Sequence, residues 1–268
     1  MITIGLAGFT DHPELLGRGE GLAEYAQTFP VIEIDSTAYG IRKQAVIQNW
    51  VNQVPPTFKF IIKASRLMTR HQQANRATLI QEFALFEDGL EPMIDRGQLA
   101  TVLFQFPPYF AANAANARYL ARLRQWLPEI PIAVELRHGS WFAPEMRQAT
   151  LDLLRDAKLQ NVAVDEPQTP NNSVPFVPEL TAGDTLFVRL HGRNQAGWLS
   201  GEHKERTNYT YTVEELQTIV AATEGKAPNT LFIFNNNGDH AAFQNACDLQ
   251  LLLGVTFTGL APKQLDLF

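Results

Sequence analysis

The sequence predicts an α/β fold: a single (β/α)8 barrel of the TIM type over residues 1–258, followed by a tail at 259–268. Three observations carry this prediction. Strand-like and helix-like runs alternate along the whole chain. The strand-like runs are near-continuous stretches of β-branched and aromatic residues, as in parallel strands buried on both faces. Eight of them fit into the 268 residues, the repeat number of a closed barrel. The competing architecture, an open doubly wound sheet, calls for a glycine-rich phosphate turn after the first strand. Gly8-Phe9-Thr10-Asp11 is not one.

Taken in order, Ile2–Ala7 is the first strand, and Leu22, Ala23, Tyr25, Ala26 and Phe29 repeat at helical spacing up to Pro30. Val31–Asp35 is the second strand, and Phe58–Ser65, entered through Pro55-Pro56, the third. Leu79, Phe83, Phe86 and Leu90 mark a helix that ends before Gly97, and Ala100–Phe106 follows as a strand. Leu120, Leu123, Trp126 and Leu127 form the next apolar helical face, closed by Pro128 and Pro131 before the strand Ile132–His138. A helix at Met146–Leu154 leads to the sixth strand, Asn161–Asp165. Glu166–Asp184 contains Pro167, Pro170, Pro175 and Pro178, which excludes a regular helix there. Thr185–His191 is the seventh strand. Gly192–Thr212 after it is long and polar, with Trp198, His203, Lys204 and Arg206, and reads as a lid or binding segment. A helix at Val213–Val220, the strand Thr230–Asn236 and a last helix at His240–Leu253, with Asp239 as N-cap, complete the barrel.

Composition bounds the function. Lys and Arg number 22 against 28 Asp and Glu, a net charge of −6, which disfavours a broad basic surface coating nucleic acid or membrane. Cys247 is the single cysteine, so an internal disulfide and a thiolate zinc cluster are excluded. No apolar run reaches the roughly 20 residues of a membrane helix, and no basic export signal precedes Ile2-Thr3-Ile4. A soluble cytoplasmic protein is the expectation. Nucleophile-elbow, Walker and dinucleotide motifs are missing, which removes the simplest support for serine hydrolysis, nucleoside-triphosphate hydrolysis and nicotinamide chemistry.

Polar residues concentrate at the strand C-termini, where barrel active sites lie. Glu33 and Asp35 are two apart, as are Lys63 and Ser65, Glu135 and Arg137, Arg189 and His191, and Asn235 and Asn237; each pair shares a strand face. Gln105 and Asp165 close their own strands. Charges at the strand–helix interface would be desolvated without partners, so the barrel mouth is their expected destination. Glu33, Glu135, Asp165 and His191 are the candidate acid–base groups. Asp35, Lys63, Gln105, Arg137, Arg189, Asn235 and Asn237 are the candidate substrate ligands, the arginines gripping a phosphate or carboxylate. The loop Asn235-Asn236-Asn237-Gly238-Asp239 offers backbone N–H groups to an anion. The alternative is a structural ion-pair network plugging the barrel. A divalent metal on these carboxylates stays open, but His71, His138 and His191 show no metal-ligand spacing, so none is assigned.

These residues also carry a resemblance. Glu33-Ile34-Asp35-Ser36-Thr37-Ala38-Tyr39, Phe58-Lys59-Phe60 with Lys63-Ala64, Leu103-Phe104-Gln105-Phe106-Pro107-Pro108, Ala133-Val134-Glu135-Leu136-Arg137-His138 with Ser140-Trp141, Val164-Asp165, Val188-Arg189-Leu190-His191-Gly192 and Phe234-Asn235-Asn236 follow one another in order. Together they resemble the YecE-like family of bacterial and archaeal barrel proteins, over nearly the whole chain. The resemblance implies a TIM barrel and supplies no established activity. The opening Gly5-Leu6-Ala7-Gly8-Phe9 lacks the family's Ser and Trp, and Asp35 and Ala38 stand where the family has Asn and an aromatic residue.

Two functions follow. One is an enzyme acting on a phosphorylated or otherwise anionic substrate, a nucleic-acid phosphoester or nucleotide included. The other is a non-catalytic barrel that binds an anionic metabolite. The closing pentapeptide Gln264-Leu265-Asp266-Leu267-Phe268 closely resembles the QL-(S/D)-LF peptide by which bacterial replication and repair proteins dock on the DNA sliding clamp. Leu265, Leu267 and Phe268 suit an apolar cleft, and the Gln264 amide suits its polar edge. The clamp is therefore the expected macromolecular partner.

Overall fold

The structure is a computed structural model that describes residues 1–8, 12, 21–169, 173–200 and 203–262. The turn at Phe9–Asp11, Pro170 and the pentapeptide Gln264–Phe268 lie outside the described residues, as do the side chains of His203, Lys204 and Asp239. Eight strands, β1 (Ile2–Ala7), β2 (Val31–Ile34), β3 (Lys59–Lys63), β4 (Leu99–Gln105), β5 (Ile132–Glu135), β6 (Gln160–Asp165), β7 (Thr185–Leu190) and β8 (Asn229–Phe234), pair in sequence order and close on themselves. All eight pairings are parallel, as a barrel of βα repeats requires. The expected fold is therefore observed. Among the described residues the helices are α1 (Leu22–Tyr25), α2 (Gln44–Asn52), α3 (Arg76–Asp95), α4 (Ala114–Trp126), α5 (Arg147–Asp156), α6 (Gln195–Ser200), α7 (His203–Arg206), α8 (Val213–Thr223) and α9 (Ala241–Leu253).

Several boundaries differ from the sequence reading, each for a local reason. Most strands stop one to three residues short of the expected C-terminus, because the polar residues there leave the ladder and turn into the mouth. Helix α2 escapes the periodicity reading because it buries only Ile47 and Val51 completely. No helix forms among the described residues of the proline-rich Glu166–Asp184 segment, as expected. Helix α9 begins at Ala241 after a 3-10 turn, Gly238–His240, with His240 held left-handed at φ 63°. Asp239 thus falls inside that turn rather than at the N-cap, a correction to the sequence reading.

The β1–β2 seam is one of the two shortest of the barrel, the other being β5–β6. Only Leu6↔Ile32 and Ala7↔Glu33 are in register, against a run from Ile2↔Thr230 to Leu6↔Phe234 on the other side of β1. Gly5 permits the approach: a Cβ there would lie 2.3 Å from the Val31 carbonyl oxygen. The buried Tyr25 hydroxyl bridges the gap, accepting from the Leu6 N–H at 2.8 Å and donating to the Val31 carbonyl at 2.8 Å. Tyr25→Phe leaves one backbone donor and one acceptor buried without this partner, at a cost of about 1–3 kcal/mol. The urea midpoint should fall accordingly with an unchanged m-value.

Candidate functional site

The strand C-termini assemble two stacked layers at the barrel mouth. The lower layer is a buried ion network centred on Arg189 from β7, whose side chain is fully buried. Its Nε and Nη2 donate to the two Glu33 carboxylate oxygens of β2 at 2.8 and 2.6 Å. Its Nη1 donates to Glu135 Oε2 of β5. Glu135 Oε1 accepts from Gln105 Nε2 at 2.7 Å and from Arg137 Nη1 at 3.1 Å. Arg137 Nε also pairs with Glu166 at 2.9 Å. Asn235 Nδ2 donates to His191 Nδ1 at 2.8 Å, which leaves the His191 Nε2–H to donate to Glu135 Oε1 at 3.1 Å. Asp165 faces away from this network. It accepts from Arg193 Nε and Nη2 at 2.9 and 2.7 Å and from the Tyr211 hydroxyl at 2.7 Å, fixing the start of the loop after β7.

Above this floor opens a cleft of about 860 Å³. Asp35, Lys63, Gln105, Arg137, His191, Asn235 and Asn237 line it, together with Tyr39, Arg66, Thr69, His71, Tyr109, Trp198 and Arg206. The long segment after β7 supplies Trp198 and Arg206 to this lining through α6 and α7. Trp198 lies under two guanidinium groups, Arg137 at 4.7 Å and Arg206 at 5.7 Å from its ring centroid. Lys63 reaches Asp35 at 3.4 Å. Among the described residues no carboxylate pairs with Arg66 or Arg206.

Proton affinities follow from this layering. Burial alone would raise the Glu135 carboxyl, but Arg189, His191 and Arg137 hold it well below the ordinary carboxylate range. Burial, together with the like charge of Asp35, raises Glu33 to about 8 despite Arg189. Burial raises Glu166 to about 7 against the pull of Arg137. Asp35, opposed by burial but drawn down by Lys63, is lowered. Burial pushes His191 down to about 4. His71 is also pushed to about 4, first by burial and then by the charges of Arg66, Lys63 and Arg137. The Thr69 hydroxyl donates to the Ser65 carbonyl at 2.9 Å, so its oxygen accepts from His71 Nδ1–H at 2.9 Å. His71 is thus neutral with Nε2 as its basic atom.

The mouth therefore gathers the residues the sequence singled out, but divides them. His191, Asp35, Lys63, Gln105, Arg137, Asn235 and Asn237 reach the cleft. Glu33, Glu135, Asp165 and Arg189 do not; their oxygens and N–H groups are already engaged beneath or beside it, and this corrects the roles first given to them. His138 is a turn cap, its Nδ1 accepting from the Ser140 N–H at 3.1 Å. Among the described residues no three His, Cys, Asp or Glu side chains gather as a metal-ligand set. Arg66 and Tyr109 escaped the sequence reading because they stand in loops after β3 and β4, beyond any strand periodicity. Tyr39, in the 3-10 turn Ser36–Tyr39 after β2, entered it only as part of a resemblance block. The resemblance block that ends at Pro108 stops one residue short of Tyr109.

Comparison with known proteins supports this frame. The family model described as "Protein of unknown function DUF72" matches residues 3–266. The UPF0759 protein YunF of Bacillus subtilis is 34% identical over 282 residues, covering 100% of both chains. The UPF0759 protein YecE of Escherichia coli K12 is 31% identical over 159 residues, 57% of this chain and 54% of its own. A crystal structure of a DUF72 family protein from Enterococcus faecalis V583 superposes with a TM-score of 0.92 at 34% identity, covering 99% of this chain and 100% of the other. The YecE-like resemblance is borne out.

The buried network makes stability depend on pH. A carboxyl raised on folding holds its proton more tightly in the native chain, so its contribution falls as pH rises from the unfolded value near 4.5 to the folded value. For Glu33 and Glu166 that window runs from 4.5 to about 8 and about 7. Glu135 has the opposite sign, and its contribution is lost only as pH falls below 4.5. His71 and His191, lowered to about 4, gain stability as pH rises to their unfolded value near 6.5 and offset the carboxyls over that range. Melting temperature should therefore decline mainly between 6.5 and about 8. Glu33→Gln, which no longer titrates, should show a shallower decline in the same scan.

Proposed function

The chain belongs to the DUF72 family, and from the geometry of its barrel mouth we propose that it binds a phosphorylated or otherwise anionic substrate there and acts on it by proton transfer. The observation that carries the reading is the unpaired charge of the cleft. Arg66 and Arg206 face it without a carboxylate partner among the described residues, and Lys63 meets Asp35 only at 3.4 Å. With Arg137, these four cations outnumber the two carboxylates of the lining, Asp35 and Glu205. His71, lowered first by burial, is lowered further by the charges of Arg66, Lys63 and Arg137. Guanidinium forks and an ammonium group around a cleft suit phosphate or carboxylate oxygens. The amides of Gln105, Asn235 and Asn237 add neutral hydrogen-bonding groups at the floor.

His71 and Asp35 take the acid–base role first assigned to Glu135 and Asp165. Each lines the cleft, and each is basic in the free protein: His71 is neutral, and Asp35 is a carboxylate held by Lys63. An anion bound among Arg66, Lys63 and Arg137 offsets the charges that depress His71, and so moves its pKa towards the useful range. A non-catalytic binder is the second reading. It is favoured by the engagement of Glu135 in four polar contacts, which holds this fully buried carboxylate in its ionised form and makes it a poor base.

Calorimetric titration with phosphate and a phosphomonoester tests both. Arg66→Ala combined with Arg206→Ala should weaken binding by roughly tenfold or more, the loss of one or two charge-assisted hydrogen bonds, at unchanged melting temperature. Unchanged affinity would sink the anion reading. Turnover of the phosphomonoester, measured with and without a divalent metal and lost in His71→Gln while binding persists, supports catalysis. Binding without turnover selects the non-catalytic barrel.

The partner reading rests on the pentapeptide Gln264–Phe268. Docked on the sliding clamp, it would raise the local concentration of the barrel at DNA, so that a net charge of −6 would not exclude a nucleic-acid substrate. In a surface-binding assay with purified clamp, the full chain should bind with roughly micromolar affinity. A chain ending at Lys263 should not bind. Equal signals from the two chains would remove the clamp from this account.

A further inference from the structure

Beside the mouth, a second cavity of about 410 Å³ opens between the segment that precedes α3 and the helix α4. We infer that it is a second phosphate subsite, and that mouth and cavity together take a single-stranded nucleic acid; the inference rests on the mouth being an anion site and names its substrate class. Arg70, Arg76 and Arg122 line the cavity over Tyr119 and Trp126, and no acidic side chain contributes to its wall. Among the described residues none of the three arginines is in an ion pair. That is unexpected in a chain with more acidic than basic residues.

The local sequence concentrates the charge. Helix α4 carries Arg118, Arg122 and Arg124 and no carboxylate. Arg124 is accounted for, since its guanidinium clamps the carbonyls of Leu127, Pro128, Ile130 and Lys158. Arg122 is exposed on the same helix and has no such duty. The first turn of α3, where an acidic residue would offset the positive end of the helix, begins with Arg76 and holds no acid. Arg70 is laid over the Tyr119 ring at 4.3 Å, and the Tyr119 hydroxyl is anchored on the Met68 carbonyl at 2.6 Å. Stacking fixes the guanidinium plane and leaves its N–H edge for a ligand.

Continuity with the mouth comes from one turn. Thr69 and His71 line the cleft while Arg70 between them, left-handed at φ 65°, lines the second cavity. The rim between the two carries Tyr109, 67% exposed, whose hydroxyl donates to the Arg70 carbonyl at 3.0 Å. Tyr39, 73% exposed, stands in the cleft beside Arg66, whose guanidinium lies 5.9 Å from its ring. Guanidinium groups interleaved with exposed flat rings match a chain that alternates phosphates with bases, as in proteins that bind single strands by backbone charge and base stacking. A lone small anion would use the cations and leave the exposed rings idle.

Fluorescence anisotropy with a short labelled oligothymidylate tests the inference at two salt concentrations. Arg76→Glu with Arg122→Glu, both exposed helix positions, should weaken oligonucleotide binding by roughly tenfold or more and lower the salt slope by about 1.4, two phosphates at about 0.7 each. Phosphate binding at the mouth, read by calorimetry on the same variant, should be unchanged, and Tyr109→Leu should weaken the oligonucleotide more than it weakens phosphate. Oligonucleotide affinity indifferent to Arg76 and Arg122, or matched by inorganic polyphosphate, overturns the second subsite while phosphate binding at the mouth can still stand. Loss of phosphate binding at the mouth in the wild-type chain, with oligonucleotide binding still sensitive to Arg76 and Arg122, instead overturns the mouth reading and leaves the subsite.

Discussion

A fully buried guanidinium joins opposite walls of this barrel, and much of the mouth is arranged around it. Arg189 rises from β7, meets both oxygens of Glu33 on β2 and reaches Glu135 on β5, so three non-adjacent strands share one planar cation. A charge in that position is tolerable only when its donors are matched, because desolvating it unpaired costs several kcal/mol. The matching fixes the neighbours in turn. Glu135 turns its second oxygen to Gln105, Arg137 and His191, and Asn235 sets the tautomer of His191. The polar layer is thus a rigid floor, braced from strand to strand like the apolar layers beneath it.

The floor explains where chemistry is available. Three cations of the network, Lys63, Arg137 and Arg189, face four carboxyls, Glu33, Asp35, Glu135 and Glu166. One carboxyl too many is a physical reason for a proton to be retained near neutrality, as the raised Glu33 and Glu166 indicate. The cations left for an external anion then come from the loops and helices outside the strands, where the carboxylates of the network do not reach. Arg66, Arg206 and the three arginines of the flanking cavity all have this character. Rigid strands supply the support and loops the contact surface, the usual division in barrels of this kind.

Much of this was legible in the sequence. Eight β-rich runs separated by helical spacing determined the barrel, because a strand buried on both faces has little choice but to be apolar, and a parallel neighbour requires a crossover. The two-residue spacing of Glu33 with Asp35, Glu135 with Arg137, and Arg189 with His191 likewise determined that these side chains converge on one end, since alternate residues of a strand share a face. The four prolines after β6 were enough to exclude a helix. Family membership, too, could be read from ordered blocks such as Val188-Arg189-Leu190-His191-Gly192.

Only the tertiary structure decided which of those polar residues stay free. Periodicity reports the face a side chain takes but not its depth, and one two-residue step separates Arg189, sealed under the cleft, from His191, which lines it. Nor does composition distinguish Arg124, closed on four carbonyls, from Arg122 two positions earlier on the same helix. Pairing is a property of three-dimensional distance: Glu33 and Arg189 are 156 residues apart in the chain and in bidentate contact in the fold. The choice between a structural cation and a binding one is made there, by what the remaining strands bring within hydrogen-bond reach.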